Sequence, residues 1–254
     1  HMEILAYNKI GNGVINIIFL HELMGDSSNY KACLNYFDEN LFSCFMVDLR
    51  GYGESKNILG KYNLEEAKND IINLVSFLKL ENYILVAHSM STMIAQHIAS
   101  VDKRMEKIIL ITPISYLGVK SNLKAKENLL SQMKKNSGKI EEIVEQSSKR
   151  YNLIWKKYRV NLAYNCSLLE ARISYMDMYL NIDFESIGNN KLKINIPIKI
   201  ITGKHDFSVF SKIEVSKYFQ EFNDVEIVEF EEAGHYPMIE CPVYFASQIE
   251  SWCK

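Results

Sequence analysis

Long hydrophobic runs are missing from this 254-residue chain. The run Val14 to Leu20 is far too short to cross a bilayer, which takes about 20 consecutive apolar residues as a helix. Cysteine is sparse and scattered: Cys33, Cys44, Cys166, Cys241 and Cys253 are odd in number and contain no C-x-x-C pair. That argues against a disulfide scaffold or a zinc site and favours a reducing compartment. Excess charge of one sign is absent too, with a net charge of −2, so nothing suggests a nucleic-acid or anionic-membrane partner. The lysines at 120 to 126 and at 134 and 135 read as solvated helix faces. No G-x-G-x-x-G follows a strand, and no trio of side chains has metal-ligand spacing, so neither a dinucleotide cofactor nor a metal is expected. His1-Met2 runs directly into Glu3 without a signal-peptide pattern, and His1 reads as a cloning remnant. These absences predict a soluble, cytoplasmic protein with no cofactor and no membrane insertion.

The composition is that of an ordinary globular chain, 48% hydrophobic and 24% charged, long enough for one large core with an insertion. Residues 3 to 20 read as two strands around a Gly11-Asn12-Gly13 turn, and 43 to 47 as a short buried strand. Asn63 can cap a helix from Leu64 to Leu80, in which Ala67, Ile71, Leu74, Val75 and Leu78 keep a 3.6-residue period. Strands follow at 83 to 87, 107 to 112, 196 to 201 and 225 to 230, with helices at 90 to 101, 211 to 222 and 243 to 252. Alternating strands and helices imply a parallel sheet covered on both faces, an α/β fold. From about Tyr116 to Asn190 the pattern is helical only. The expected organisation is a core of residues 1–115 and 191–254, with 116–190 inserted as a helical cap over the strand ends.

Three positions carry chemistry. In Tyr83-Ile84-Leu85-Val86-Ala87-His88-Ser89-Met90-Ser91 a buried strand turns into a helix at Ser89, which would expose the hydroxyl beside free helix N-terminal N–H groups. Asp206 closes Thr202-Gly203-Lys204-His205-Asp206 directly after one strand, and His235 lies in Glu231-Glu232-Ala233-Gly234-His235-Tyr236-Pro237 directly after the next. The order Ser, Asp, His is one of the known triad arrangements. A serine hydroxyl needs an imidazole to take its proton, and a carboxylate to orient that imidazole and stabilise its cation. No acid lies between Thr112 and Lys126, so Asp206 is the strongest candidate for the third member.

With these residues in place the chain resembles the α/β-hydrolase superfamily over essentially its whole length. His21-Glu22-Leu23-Met24-Gly25 looks like its His-Gly-x-x-Gly oxyanion loop. Asp48-Leu49-Arg50-Gly51-Tyr52-Gly53-Glu54-Ser55 matches its D-x-R-G-x-G-x-S loop, and Gly203-x-x-Asp206 and Gly234-His235, with Pro237, Glu240 and Pro242, fit its acid and histidine segments. The resemblance implies an oxyanion hole from the backbone N–H groups of Leu23 and Met90. It also implies that residues 116–190 cover the pocket, where Trp155, Tyr158, Tyr175 and Met178 are candidate substrate contacts. The expected activity is hydrolysis of a small-molecule ester, thioester or lactone through an acyl-serine. Two alternatives remain open: a triad-dependent C–C hydrolase or lyase of the menaquinone-synthase type, and a ligand-binding signalling protein with a hydrolase fold.

The chain departs from the family pattern at three places. Ala87 and Ser91 replace the glycines that flank the nucleophile, and Glu22 replaces the glycine of the oxyanion loop. A carboxylate facing that hole would oppose developing negative charge; it could instead contact substrate or shuttle a proton. The simpler expectation is that Glu22 points away and pairs with a neighbour such as Arg50, in which case Glu22→Gly would change activity only a few-fold. His21, His88, His97 and His205 are expected to pack or shape loops rather than to react.

Overall fold

The computed structural model describes residues 3–182 and 191–254. Its centre is a seven-stranded sheet in the order β1-β3-β2-β4-β5-β6-β7, formed by β1 (Tyr7–Ile10), β2 (Ile15–Leu20), β3 (Phe42–Val47), β4 (Tyr83–His88), β5 (Met105–Ile111), β6 (Ile198–Gly203) and β7 (Val225–Phe230). Only β1 runs antiparallel, against β3; the other five pairings are parallel. The central strands are apolar at almost every position because both of their faces are covered. Alternate side chains serve opposite faces. Ile18, Leu20, Leu85, Ala87, Ile108 and Leu110 join one cluster, whereas Ile17, Phe19, Ile84, Val86, Ile109 and Ile111 join the other.

Helices α2 (Leu64–Phe77), α3 (Met90–Ala99) and α8 (Lys212–Phe219) pack into the first cluster, and α1 (Lys31–Leu34) and α10 (Pro242–Cys253) into the second. Asn63 accepts a hydrogen bond from the Glu66 N–H and so caps α2, which ends at Phe77, before Leu80, because Lys79 takes a left-handed backbone at φ 55°. Between β5 and β6 lie α4 (Leu123–Lys134), α5 (Lys139–Gln146), α6 (Leu153–Asn165) and α7 (Leu169–Leu180). Residues 183–190, the end of the expected 116–190 insertion, lie outside the described residues. A last short helix, α9 (Pro237–Glu240), precedes α10.

Two features of this architecture position chemistry. The sheet order reverses direction between β2 and β4, and in open α/β sheets the crevice beyond such a reversal, at the carboxyl ends of the strands, is where ligands sit. The loop His21–Gly25 leaves β2 there and Ser89 leaves β4 there. The segment 48–55 braces the same edge: Asp48 accepts from the Ser27 and Glu54 N–H groups at 2.9 and 3.0 Å. Gly53, at φ 47°, has no room for a Cβ, which would stand 2.4 Å from the Asp48 carboxyl carbon.

Candidate active site

Ser89 follows the last residue of β4 and precedes the first of α3, with φ 51° and ψ −113°. A non-glycine residue held there costs on the order of 1–3 kcal/mol and persists only where its surroundings fix it. They do so here. The Ser89 N–H donates to Ile111 O at 2.9 Å, and Thr92 Oγ1 donates to Ser89 O at 2.5 Å. Ala87 and Ser91 are fully buried and small enough for the turn to close. Ser91 Oγ also donates to the carbonyl of His21, tying α3 to the loop after β2.

His235 Nε2 lies 3.1 Å from Ser89 Oγ, and His235 Nδ1 lies 2.9 and 3.0 Å from the two oxygens of Asp206. Asp206 also accepts the Phe207 N–H at 2.7 Å, which orients its carboxylate. The histidine loop is held from three sides. Glu240 Oε2 accepts the N–H groups of both neighbours, Gly234 and Tyr236, at 2.9 Å. His88 Nε2 lies 2.6 Å from the His235 carbonyl. From the insertion, Ser147 O accepts the His235 N–H at 2.9 Å. That carbonyl comes so close that a Cβ on Gly234 would meet it at 2.4 Å.

The electrostatics follow from these contacts. Burial opposes charge on His235, but the facing Asp206 carboxylate outweighs it and raises the imidazole above its ordinary value. Buried His88, beside His235, is pushed the other way and stays neutral. Burial likewise raises Glu240. Among the described residues neither the Leu23 nor the Met90 N–H donates to a backbone or side-chain partner, which leaves two donors free at the strand ends.

A cavity of about 140 Å³ opens beside Ser89 and His235. Glu22, Leu23 and Met24 form its floor and Phe207, Phe210 and Tyr236 one wall; Leu129, Ile143, Ser147, Met176 and Tyr179 of the insertion close it. The Phe210 ring centroid stands 4.6 Å from that of His235 and shields the imidazole from solvent.

The four expected insertion contacts are not brought to this cavity. Tyr175 is fully buried against Tyr52 and Tyr62, and Met178 packs into the core beside it. The cavity takes the adjacent face of α7, with Met176 and Tyr179 three residues apart on one stripe. Trp155 stacks on Tyr151 and lies edge-on to Tyr236, one layer behind the wall, while Tyr158 is 56% exposed. Helical period gives the spacing of such a stripe but not its rotation, so the neighbouring face reads equally well in sequence.

Glu22 also departs from expectation. Arg50 is engaged elsewhere, by Asp70 at 2.8 and 2.9 Å and by Glu66 at 3.6 Å. Glu22 is instead buried at the cavity floor, where Oε2 accepts the Met24 N–H at 2.9 Å and the Tyr236 hydroxyl at 3.1 Å. Its Oε1 accepts Asn29 Nδ2 at 2.5 Å and lies 3.6 Å from Arg159 Nη2. Neither Asn29, Tyr236 nor Arg159 was marked by any sequence motif; the one signal available was the single arginine of α6. His21 shapes the same loop: its Nε2 accepts the Leu49 N–H at 3.0 Å, which leaves Nδ1 to donate to the Glu22 carbonyl at 2.8 Å. Among the described residues no group of three or more acidic, histidine or cysteine side chains could hold a metal, and no helix is long and apolar enough to cross a membrane.

Comparison with known proteins bears on the family and the fold. The chain is 22% identical over 243 residues to a Mycoplasma pneumoniae protein carrying the provisional name esterase/lipase 2, covering 92% of this chain and 87% of that one. A Haemophilus influenzae protein provisionally named 2-succinyl-6-hydroxy-2,4-cyclohexadiene-1-carboxylate synthase is 24% identical over 94% of this chain and 97% of its own. The fold superposes on an esterase from Exiguobacterium antarcticum with a TM-score of 0.84, at 19% identity over 98% of this chain and 95% of that one. The family model for the alpha/beta hydrolase fold matches residues 15–242. Seven strands in this order, a serine at the turn after β4 and a family match over most of the sequence make the chain an enzyme of the α/β-hydrolase family.

Proposed function

We propose that the protein hydrolyses small esters, thioesters or lactones through an acyl-serine at Ser89. The observation that carries this reading is the continuous hydrogen-bonded line Ser89–His235–Asp206, with distances of 3.1 and 2.9 Å. Ser89 Oγ attacks the acyl carbon while His235 Nε2 takes its proton, and Asp206 stabilises the imidazolium. The carbonyl oxygen becomes an oxyanion that the Leu23 and Met90 N–H groups receive. On collapse the leaving alcohol or thiol takes the proton from His235. A water then attacks the acyl-serine by the same route, giving the carboxylic acid and free Ser89.

The inserted helices α4–α7 act as a cap that closes the acyl site. The small size of the cavity, about 140 Å³, and its lining by Leu129, Ile143, Met176 and Phe210 support a short, uncharged acyl group. The five unpaired cysteines fit a reducing, cytoplasmic setting. The relative named as a synthase supports a second reading, in which the same triad serves as base for an elimination.

A fluorophosphonate probe tests the nucleophile, and a panel of aryl esters and acyl thioesters of varied chain length tests the substrate class. Labelling of wild type but not of Ser89→Ala, with turnover of the short acyl members, is expected. Equal labelling of both proteins would overturn the assignment of Ser89. Labelling without turnover of any ester or thioester would favour the elimination.

A further inference from the structure

The three elements that meet at Glu22 lie far apart in sequence. Glu22 leaves β2, Tyr236 belongs to the histidine loop, and Arg159 lies on α6 of the insertion. Arg159 is 1% exposed. Its Nη1 donates to Asn29 Oδ1 at 2.8 Å, its Nη2 stands 3.6 Å from Glu22 Oε1, and its guanidinium lies 4.1 Å from the Tyr236 ring centroid. Glu22 in turn holds the Met24 N–H, one residue beyond the proposed oxyanion donor Leu23. Gly25 is shaped to admit this arrangement, since a Cβ there would stand 2.1 Å from Glu22 Oε1.

A carboxylate on the cavity floor fixes the loop, but alone it would repel the oxyanion that the loop must receive. A buried guanidinium alone would be equally costly. We infer that Arg159 and Glu22 work as one charge-compensated positioning unit, in which the cap helix α6 supplies the counter-charge that lets Glu22 hold the oxyanion loop without opposing charge development at Ser89. This rests on the proposed role of Ser89 as nucleophile. It makes Arg159 a positioning residue that acts through Glu22, and it links seating of α6 to competence of the site. The guanidinium has capacity for closer engagement, because its Nε and Nη2 have no hydrogen-bond partner among the described residues.

The unit also sets the field at His235. That imidazole faces Asp206 from the loop after β6, Ser89 and His88 from the end of β4, and Glu22 from the loop after β2. Tyr236 and Glu240 face it from its own loop and α9, and Arg159 lies behind Tyr236. Glu22 favours the imidazolium, whereas a positive charge at Arg159 disfavours it on Coulombic grounds.

The test uses the full chain and two readouts: the rate of fluorophosphonate labelling, and the His235 midpoint from the imidazole proton resonances in an NMR titration. Arg159→Met should slow labelling about tenfold and raise the midpoint by roughly 0.5–1 pH unit, and Glu22→Gln should lower it by a similar amount. The double variant should return both readouts close to wild type, labelling to within about threefold, as coupled partners do. Arg159→Lys, which keeps the charge, should preserve the midpoint and guards against misfolding of the methionine variant. Midpoints moving in the same direction, or a double variant no better than the worse single one, would overturn the proposal. If wild type takes no label, the nucleophile assignment fails while the midpoints still decide the charge compensation.

Discussion

The hydroxyl of Ser91 donates to the carbonyl of His21, joining the first turn of α3 to the loop after β2 across 70 residues of sequence. One departure from the family pattern, a serine in place of the glycine after the nucleophile, thus braces the loop that carries the other, Glu22. Ser91→Ala removes the donor from a buried carbonyl. The expected result is a loss of about 1–3 kcal/mol in urea denaturation, with fluorophosphonate labelling slowed several-fold because the loop is free to drift. Unchanged stability and labelling would show the brace to be dispensable.

The line from Ser89 to Asp206 predicts a graded series. Ser89→Ala and His235→Ala should each abolish ester turnover to the background, a fall of roughly 10⁴-fold or more, and Asp206→Asn should cost about 10³–10⁴ by upsetting the imidazole tautomer. Steady-state kinetics on an aryl acetate measures all three, with circular dichroism as the control for folding.

The raised His235 value sets the pH dependence. Only neutral imidazole can accept the serine proton, so kcat/KM should fall on the acid side with a midpoint above 6.5, the ordinary histidine value. The linked stability has the opposite sense. Protonation of the folded imidazole stabilises the fold below pH 6.5, and this contribution is lost as pH rises through the folded value. An acid limb well below pH 6 would contradict the geometry around Asp206.

Glu22→Gly, which restores the family glycine, strips Arg159 of its counter-charge and leaves three donors without an acceptor. We expect a destabilisation of about 3–5 kcal/mol, not the near-silent outcome that an outward-pointing carboxylate would give. Chemical denaturation that puts the variant within 1 kcal/mol of wild type would rule this out.

The proposed acyl site predicts a chain-length preference that its wall can adjust. Met176→Ala enlarges a space of about 140 Å³ and should move the optimum of an aryl ester series to acyl chains longer by about two or three carbons. Tyr158→Ala, on an exposed side chain, should leave that profile unchanged. A profile that ignores Met176 would remove α7 from the acyl site.

Much of this protein was decided locally and is therefore visible in the chain. Strands buried on both faces must be apolar at successive positions, as in Ile84–Val86 and Ile108–Ile111, so the alternating fold can be read directly. Ser89, Asp206 and His235 stand out because each follows a strand and sits in a turn of fixed local chemistry. The partners of Glu22 have no such mark. Arg159 and Tyr236 reach it only because α6 and the histidine loop converge on the end of β2, and no local spacing encodes that approach. The lining of the cavity was hidden for a related reason: sequence period shows that Tyr175, Met176, Met178 and Tyr179 lie on a helix, but the rotation of α7 against the sheet, set by packing of Tyr175 with Tyr52 and Tyr62, decides which pair meets Ser89. Sequence alone determined the fold and the three residues of the hydrogen-bonded line, because their signals are local; the partners of Glu22 and the shape of the cavity beside Ser89 were decided only by tertiary packing, because they depend on where separate elements come to rest.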